Sequence, residues 1–255
     1  MIDLHCHILP GVDDGAQTME DSLAMAEKAV SQGITHILCT PHHNNGKYDN
    51  PANEVIEKVD QLQSELDRHH ITLTVLEGQE VRISGSLLED IQHQEILFTD
   101  LDDTYLLIEF PTGEVPAYSE VLFYNLLKEG HIPVIVHPER NAVFRKDPNQ
   151  LIPFLEMGVL TQLTAPSIVG IFGKDIQKTA KDMLTHNMLH MVASDAHNLK
   201  HRSFYMKEAY EEIEKECGKA KVTEMKQIAK ALLNGDGIQA PSFERFKEKR
   251  FRFFK

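Results

Sequence analysis

Short apolar runs alternate with amphipathic helical patterns along almost the whole chain. Seven runs have the length and flanking turn signals of buried strands, at residues 2–6, 34–39, 72–76, 105–110, 132–136, 159–163 and 189–194. Helical patterns follow at residues 19–32, 53–68, 118–129, 149–157, 174–187, 204–217 and 221–234. Gly33, Gly130, Gly158 and Asn187 stand at helix-to-strand joints, where a left-handed helix cap leads directly into a strand. Strands connected by helices are predicted to be parallel.

The number of these units indicates the architecture. About seven strand-helix units favour a closed α/β barrel, although an open doubly wound sheet would give similar local patterns. A chain of 255 residues with 42% hydrophobic residues can bury a sizeable core. The sequence therefore predicts one α/β domain.

Nearly every predicted strand carries or ends in side chains that bind metal ions. These residues are His5, His7, His42, Glu77, Glu80, Glu109, His137, Asp195 and His197. Each motif alone has an ordinary structural explanation, such as an Asp that caps a helix. The carboxyl ends of barrel strands nevertheless form one rim, so these side chains are expected to converge. Glu109 lies in an otherwise apolar strand, where a carboxylate is costly unless it is paired or coordinated.

The types of candidate ligand narrow the choice of metal. Imidazole and carboxylate without thiolate suit Mn, Fe or Zn, and several carboxylates favour more than one ion. The three cysteines, Cys6, Cys39 and Cys217, lack the C-x-x-C spacing of a thiolate zinc site. We therefore predict a metal centre built from His, Asp and Glu.

The order of short motifs along the chain is similar to that of a known superfamily. The motifs are HCH at 5–7, TPH at 40–42, GQE at 78–80, IEF at 108–110, HPER at 137–140 and ASDAH at 193–197. They resemble the polymerase and histidinol phosphatase (PHP) superfamily. The segments DDGA, HPERN and SDAHN resemble more closely the bacterial manganese-dependent tyrosine-protein phosphatases of capsule and exopolysaccharide clusters. The resemblance implies a distorted seven-stranded (β/α)7 TIM-like barrel with a site for three Mn²⁺ ions.

The resemblance also implies a ligand set for each ion. His5, His7, Glu80 and Asp195 would hold the first. Glu80 would bridge the first and second ions, and Glu109 and His137 would be the other ligands of the second ion. Asp14, His42 and His197 would hold the third. The choices of Asp14 over Asp13 and of Glu80 over Glu77 rest on the resemblance alone.

Two arginines are candidates for binding the substrate phosphate. Arg140 and Arg202 follow His137 and His197 closely, and a guanidinium group can clamp phosphate oxygens. Clustered cations lower the pKa of bound water toward about 7, so we expect metal-bound hydroxide to attack phosphorus. Phenolate, with a pKa near 10, is a good leaving group. Because no cysteine is followed six residues later by an arginine, a C-x5-R tyrosine phosphatase is excluded.

The resemblance implies a phosphotyrosine-containing bacterial kinase and its substrate proteins as partners in capsular or exopolysaccharide synthesis. Alternatives are a histidinol-phosphate phosphatase, another PHP phosphoesterase, or a module that binds phosphotyrosine without hydrolysis. A net charge of −13 argues against nucleic-acid binding. No run approaches the roughly 20 apolar residues of a membrane span and no signal peptide is apparent, so we expect a cytoplasmic protein.

The end of the sequence differs in composition from the rest. Residues 243–255 carry six basic and two acidic side chains interleaved with phenylalanine. Such an end is more often a mobile, solvated tail than a site. Its composition would also suit peripheral docking to an anionic membrane or to the kinase. We therefore divide the chain into a phosphatase domain at 1–240 and a basic, aromatic tail at 241–255.

Overall fold

The computed structural model describes residues 1–247, so the last eight residues of the predicted tail lie outside the described residues. In this part of the chain the strands are β1 (Ile2–Cys6), β2 (His36–Cys39), β3 (His42–His43), β4 (Thr74–Glu77), β5 (Glu80–Arg82), β6 (Tyr105–Glu109), β7 (Ile132–Val136), β8 (Leu160–Thr164) and β9 (Met191–Ala193). The α-helices are α1 (Met19–Ser31), α2 (Ala52–Arg68), α3 (Leu87–Gln92), α4 (Ser119–Glu129), α5 (Ala142–Lys146), α6 (Ile152–Glu156), α7 (Ala165–Val169), α8 (Lys174–Thr185), α9 (Met206–Cys217) and α10 (Lys219–Asn234).

The strands form a curled parallel sheet in two sections. One section has the order β1-β2-β4 and the other β3-β5-β6-β7-β8-β9, with every pairing parallel. A backbone bridge between Cys6 and Ala196 brings the first strand beside the segment after the last. The prediction of an α/β fold with parallel strands is therefore confirmed.

The predicted count of seven strands is not confirmed, because two further short strands, β3 and β5, follow the strands predicted at 34–39 and 72–76. Thr40 and Pro41 separate β2 from β3, and proline has no amide hydrogen to donate to a sheet. Gly78 and Gln79 separate β4 from β5. A Cβ atom at Gly78 would lie 2.6 Å from Cγ of Leu38, so the backbone passes very close to β2 there.

The inner surface of the curled sheet changes from apolar to polar along the strands. Tyr105 and Leu107 of β6 belong to a small buried cluster with Leu232 of α10. Glu109 has the same parity on β6 and stands at its carboxyl end. The larger core cluster contains the alternate residues of the strand, Leu106 and Ile108. Strand alternation thus directs Glu109 toward the same side as the inner cluster.

The structure contains the helix cap and the helix-to-strand joints that the sequence predicts, but one predicted helix differs. Thr18 caps α1 and forms a capping box with Asp21, as the spacing predicts. Each of the four predicted joints has a positive φ, from 56° at Asn187 to 97° at Gly130. The predicted helix at 149–157 is instead a 3-10 turn at Pro148–Leu151 followed by the short α6.

The described part of the tail contacts the domain. The backbone amide of Phe246 donates to Oδ1 of Asn149 at 2.9 Å, and Nδ2 of Asn149 donates to the Phe246 carbonyl at 3.0 Å. The Phe246 ring stacks on His186 with 3.8 Å between centroids. Phe243 packs against the main core. Among residues 1–247, no helix combines the length and apolar character needed to span a bilayer.

Candidate metal centre

The predicted ligands converge at the carboxyl ends of the strands, with Glu80 at the centre. Oε1 of Glu80 lies 2.7 Å from Nε2 of His137, and its Oε2 lies 2.8 Å from Nδ1 of His42. The same Oε2 is 3.3 Å from Nε2 of both His5 and His7. Four histidines from β1, β3 and the end of β7 therefore surround one buried carboxylate.

Three groups of side chains in the described chain have ligand atoms close enough to share an ion. The groups are His7, Asp14, His42 and His197; His5, His7 and Glu80; and His42, Glu80 and Glu109. Within each group the ligand atoms lie within 4.8 Å of one another. Asp195 lies beside the second group, with Oδ1 3.6 Å from Nε2 of His5 and 3.5 Å from Nε2 of His7. The structure thus brings all nine predicted ligands together.

Several polar atoms at the centre suit a cation. Within residues 1–247, Nδ1 of His42, Oε2 of Glu80, Oε2 of Glu109 and Nε2 of His197 are buried beside other polar atoms but make no well-directed hydrogen bond. Nε2 of His5 and Nε2 of His7 are only 3.1 Å apart. Leaving buried polar atoms unpaired is costly, and a bound divalent ion would satisfy them. The imidazole and carboxylate donors fit Mn, Fe or Zn.

The backbone at two ligands is unusual. His137 and Asp195 have left-handed φ values of 41° and 51°. Such values are uncommon for residues other than glycine and often occur at functional sites. His137 directly follows β7, and its amide donates to the carbonyl of Gln162 at 2.8 Å. The amide of Asp195 donates to the carbonyl of His5 at 2.8 Å, which ties the two ligand segments together.

Neighbouring polar groups orient the histidines, and the sequence did not predict this arrangement. Oδ2 of Asp13 lies 2.6 Å from Nδ1 of His7, and Oε1 of Gln162 lies 2.7 Å from Nδ1 of His5. Each contact leaves the ring's Nε2 directed at Glu80. Hydrogen bonds of this kind fix the tautomer and orientation of ligating imidazoles. Gln162 lies on the buried strand β8, and its local sequence gives no signal for this contact with His5.

Both predicted arginines reach the cluster, and a third joins them. Arg140 and Arg202 each form an ion pair with Asp195, and Nη2 of Arg202 lies 2.9 Å from Oδ1. Arg82 of β5 pairs with Glu109 at 2.8 Å. Arg82 was not among the predicted site residues, although it stands two residues after Glu80 and so shares its side of the strand. The three guanidinium groups offset part of the clustered negative charge.

Burial and neighbouring charges shift the pKa values of several side chains in the cluster. Burial and the nearby Glu80 carboxylate raise the pKa of Glu109 to about 7. Burial and the Arg140 charge lower the pKa of His137 to about 4, and burial and His7 lower the pKa of His197 to about 4. The neighbouring His197 and His42 imidazoles hold the pKa of Asp14 far below its usual value. Neutral imidazoles at His137 and His197 and an ionised Asp14 are the forms that bind metal ions. The Glu80 and Asp14 carboxylates instead raise the pKa of His42 to about 9, so binding an ion there would release a proton.

Comparison with known proteins gives a consistent result. A family model described as "Capsular polysaccharide synthesis, CpsB/CapC" matches residues 1–233. The chain is 46% identical over 256 residues to the tyrosine-protein phosphatase YwqE of Bacillus subtilis (strain 168), covering 100% of both chains. It is 31% identical to the tyrosine-protein phosphatase CpsB of Streptococcus pneumoniae, covering 88% of this chain and 94% of the relative.

A solved structure is also similar. It comes from crystallographic work on YwqE of B. subtilis and CpsB of S. pneumoniae, described as unique metal-dependent tyrosine phosphatases. The TM-score is 0.93 at 45% identity, and the match covers 97% of this chain and 100% of the other. Fold and sequence therefore point to the same relatives.

Proposed function

This chain belongs to the CpsB/CapC family of capsular polysaccharide synthesis proteins, and we propose that it is a metal-dependent tyrosine-protein phosphatase. The observation that carries the proposal is the gathering of five histidines and four carboxylates beside two arginines at the rim. Substrate phosphate, metal ions and cationic side chains would meet at this one place. The relatives' names and the resemblance of the sequence motifs support the same activity.

The proposed metal sites follow the sequence prediction. His5, His7, Glu80 and Asp195 would hold one Mn²⁺ ion, and Glu80, Glu109 and His137 would hold a second. Asp14, His42 and His197 would hold a third, and His7 lies beside these three side chains. Bound divalent ions would neutralise phosphoryl oxygens and lower the pKa of a coordinated water molecule toward about 7. Fe or Zn would suit the same nitrogen and oxygen ligands.

The side chains of the rim bind and orient the phosphate. Arg140 and Arg202 are about one quarter exposed, so their guanidinium groups face both the cluster and solvent. Planar guanidinium groups pair with phosphate oxygens through two hydrogen bonds and stabilise negative charge as the ester bond breaks. A phenolate leaves with a pKa near 10, so a strong proton donor is not required.

Cysteine takes no part in the proposed reaction. Cys6 and Cys39 are fully buried, and burial raises the pKa of both thiols, so neither forms a thiolate at neutral pH. Cys217 lies at the end of α9, and burial raises its pKa as well. Phosphate release without a covalent thiol intermediate is consistent with this arrangement.

The proposed biological substrate is phosphotyrosine on a bacterial kinase and on the proteins that the kinase modifies in capsule or exopolysaccharide synthesis.

We also propose that the domain is a seven-stranded barrel, in which β2 with β3 forms one interrupted strand and β4 with β5 forms another. We place the domain at 1–240 and the tail at 241–255. The tail is proposed to dock to the kinase or to an anionic membrane, and unchanged binding to both after its deletion would contradict that role.

The experiment compares hydrolysis of several phosphate esters by the full chain. Phosphate release is measured from a phosphotyrosyl peptide, histidinol phosphate and single-stranded DNA, each with Mn²⁺ and with EDTA. We expect Mn²⁺-dependent release from the peptide. Glu80→Gln should abolish it and Arg140→Gln should reduce it at least tenfold, whereas Arg145→Gln, a change at an exposed arginine of α5, should not.

Other outcomes would distinguish the alternatives. Preference for histidinol phosphate would favour a different PHP phosphatase while keeping the metal centre. Tight binding of the phosphotyrosyl peptide without phosphate release would favour a non-catalytic module. Cleavage of DNA would contradict the exclusion of nucleic acid that the charge of the chain suggests.

A further inference from the structure

Two half-buried aromatic rings lie beside the proposed metal and phosphate ligands but do not belong to the hydrophobic core. Tyr48 and Phe172 are partly covered, yet neither packs against the two buried apolar clusters. By contrast, the partly buried rings of Tyr205, Phe243 and Phe246 all pack against the main cluster. Half-covered aromatic rings beside the polar groups of a binding site commonly contact a ligand. Folding of the domain therefore does not explain these two rings.

Tyr48 lies beside a proposed metal ligand. Its ring is parallel to the His42 imidazole, with 6.1 Å between centroids and 6° between planes. The loop that carries it is fixed, since Oδ1 of Asn45 accepts from the amides of Lys47 at 3.0 Å and Tyr48 at 2.8 Å. The ring is thus held on the His42 side of the cluster.

Phe172 lies beside a proposed phosphate ligand. Its ring centroid is 5.4 Å from the guanidinium carbon of Arg140. The turn that carries it joins α7 to α8 between Gly170 and Gly173, both with a φ of 96°. The amide of Ile171 donates to the carbonyl of Pro166 at 2.9 Å, and that of Gly173 to Gly170 at 3.1 Å. A second aromatic ring is therefore held on the Arg140 side.

We infer that Tyr48 and Phe172 are specificity residues that receive the aromatic ring of phosphotyrosine. This inference rests on the proposed phosphatase function. Tyr48 lies beside His42 and Phe172 beside Arg140, so the ester group of a phosphate bound between the metal ligands and Arg140 would extend toward these side chains. An aryl group there gains contacts between aromatic rings and removes apolar surface from water. Phosphoserine has no ring to make these contacts. The two residues thus select aryl over alkyl phosphate esters.

The test uses two peptides that differ only in carrying phosphotyrosine or phosphoserine. Full-length Tyr48→Leu and Phe172→Leu are loaded with Mn²⁺ and compared with the unchanged chain. We expect KM for the phosphotyrosyl peptide to rise about tenfold in each, with kcat within about twofold. The kcat/KM for the phosphoseryl peptide and inhibition by inorganic phosphate should not change.

Control variants separate ring recognition from general damage. Tyr124→Leu removes an aromatic ring that is 62% exposed on α4 and should behave like the unchanged chain. Tyr48→Phe and Phe172→Tyr keep an aromatic ring and should restore the low KM. Thermal melting should be unaltered in all of them, since neither ring packs in the core.

Two kinds of result would contradict the inference. Equal losses on both peptides, or an unchanged KM for the phosphotyrosyl peptide, would overturn the assignment while leaving the phosphatase proposal intact. Failure of the unchanged, Mn²⁺-loaded chain to release phosphate from phosphotyrosine would instead overturn the proposed function, and with it this inference.

Discussion

Asp13 is hydrogen-bonded to His7, with 2.6 Å between Oδ2 of the carboxylate and Nδ1 of the imidazole. The amides of Gly15 and His42 also donate to this carboxylate, at 2.8 and 3.2 Å. Asp14, the next residue, is 45% exposed and directs its oxygen at His42 and His197. Asp13 is therefore positioned to orient an imidazole, whereas Asp14 is positioned to bind an ion.

We predict that Asp13→Asn lowers the affinity for Mn²⁺ by roughly 10- to 100-fold, because the charge that orients His7 is lost. Asp14→Asn should weaken binding at one proposed ion while leaving the others. Calorimetric Mn²⁺ titration of both variants measures this, with the exposed Asp60→Asn of α2 as a control. Unchanged affinity in Asp13→Asn would contradict the role assigned to the hydrogen bond.

The difference between these two aspartates also shows what the sequence could not predict. His5, His7 and Glu109 lie at regular strand ends, where side-chain alternation and parallel pairing are enough to bring them together. Asp13 and Asp14 lie in an irregular loop whose course depends on distant contacts. At Gly15, for example, a Cβ atom would lie 2.0 Å from the carbonyl oxygen of His7. Only the folded backbone separates the roles of the two carboxylates.

Residues that support the ligands were harder to predict than the ligands. Gln162 is a neutral amide, and nothing in its local sequence indicates that it contacts His5 from β8, 157 positions along the chain. The broken strands were missed for a similar reason. A hydrophobic pattern reports neither the break in the ladder at Pro41 nor the close approach of Gly78 to Leu38 of β2.

Metal removal should destabilise the fold as well as abolish activity. Burial, together with the nearby Glu80 carboxylate, raises the pKa of Glu109 to about 7, so two negative charges are costly in this site without a cation. At a Mn²⁺ concentration about 100 times Kd, each ion adds about 2.7 kcal/mol to the free energy of unfolding. We expect Tm to rise by at least about 5 °C on adding Mn²⁺ to EDTA-treated protein. Calorimetry checks this, and Glu80→Gln should show a smaller rise.

Replacing cysteine should leave catalysis intact. Because burial holds the thiols of Cys6 and Cys39 in the neutral form, neither is a nucleophile at neutral pH. We predict that Cys39→Ala and Cys217→Ala keep kcat/KM within about twofold, measured on a phosphotyrosyl peptide at saturating Mn²⁺. Loss of activity in either variant with its metal content unchanged would contradict a reaction that uses no thiol.

Deleting residues 243–255 should lower stability without altering kcat. The deletion removes the packing of Phe243, the stacking of Phe246 on His186 and both hydrogen bonds to Asn149. We expect the free energy of unfolding to fall by about 1–3 kcal/mol, measured by urea unfolding of Mn²⁺-loaded protein. Asn149→Ala removes the hydrogen bonds alone and should cost less. A large fall in kcat would show instead that the tail contributes to the catalytic site.

Stability should also fall in acid through a histidine away from the rim. His190 is buried, with Nδ1 accepting from the amide of Thr161 at 3.0 Å, and burial together with Lys221 lowers its pKa to about 3. An unfolded histidine titrates near pH 6.5. Between pH 6.5 and about 3 the unfolded chain therefore binds a proton that folded His190 does not, and stability falls by up to about 1.4 kcal/mol per pH unit. The free energy of unfolding, measured in urea from pH 7 to 5, should fall less steeply in His190→Gln than in the unchanged chain. The control His93→Gln, a change at an exposed histidine, should behave like the unchanged chain. The same pH dependence in His190→Gln and the unchanged chain would rule out this contribution.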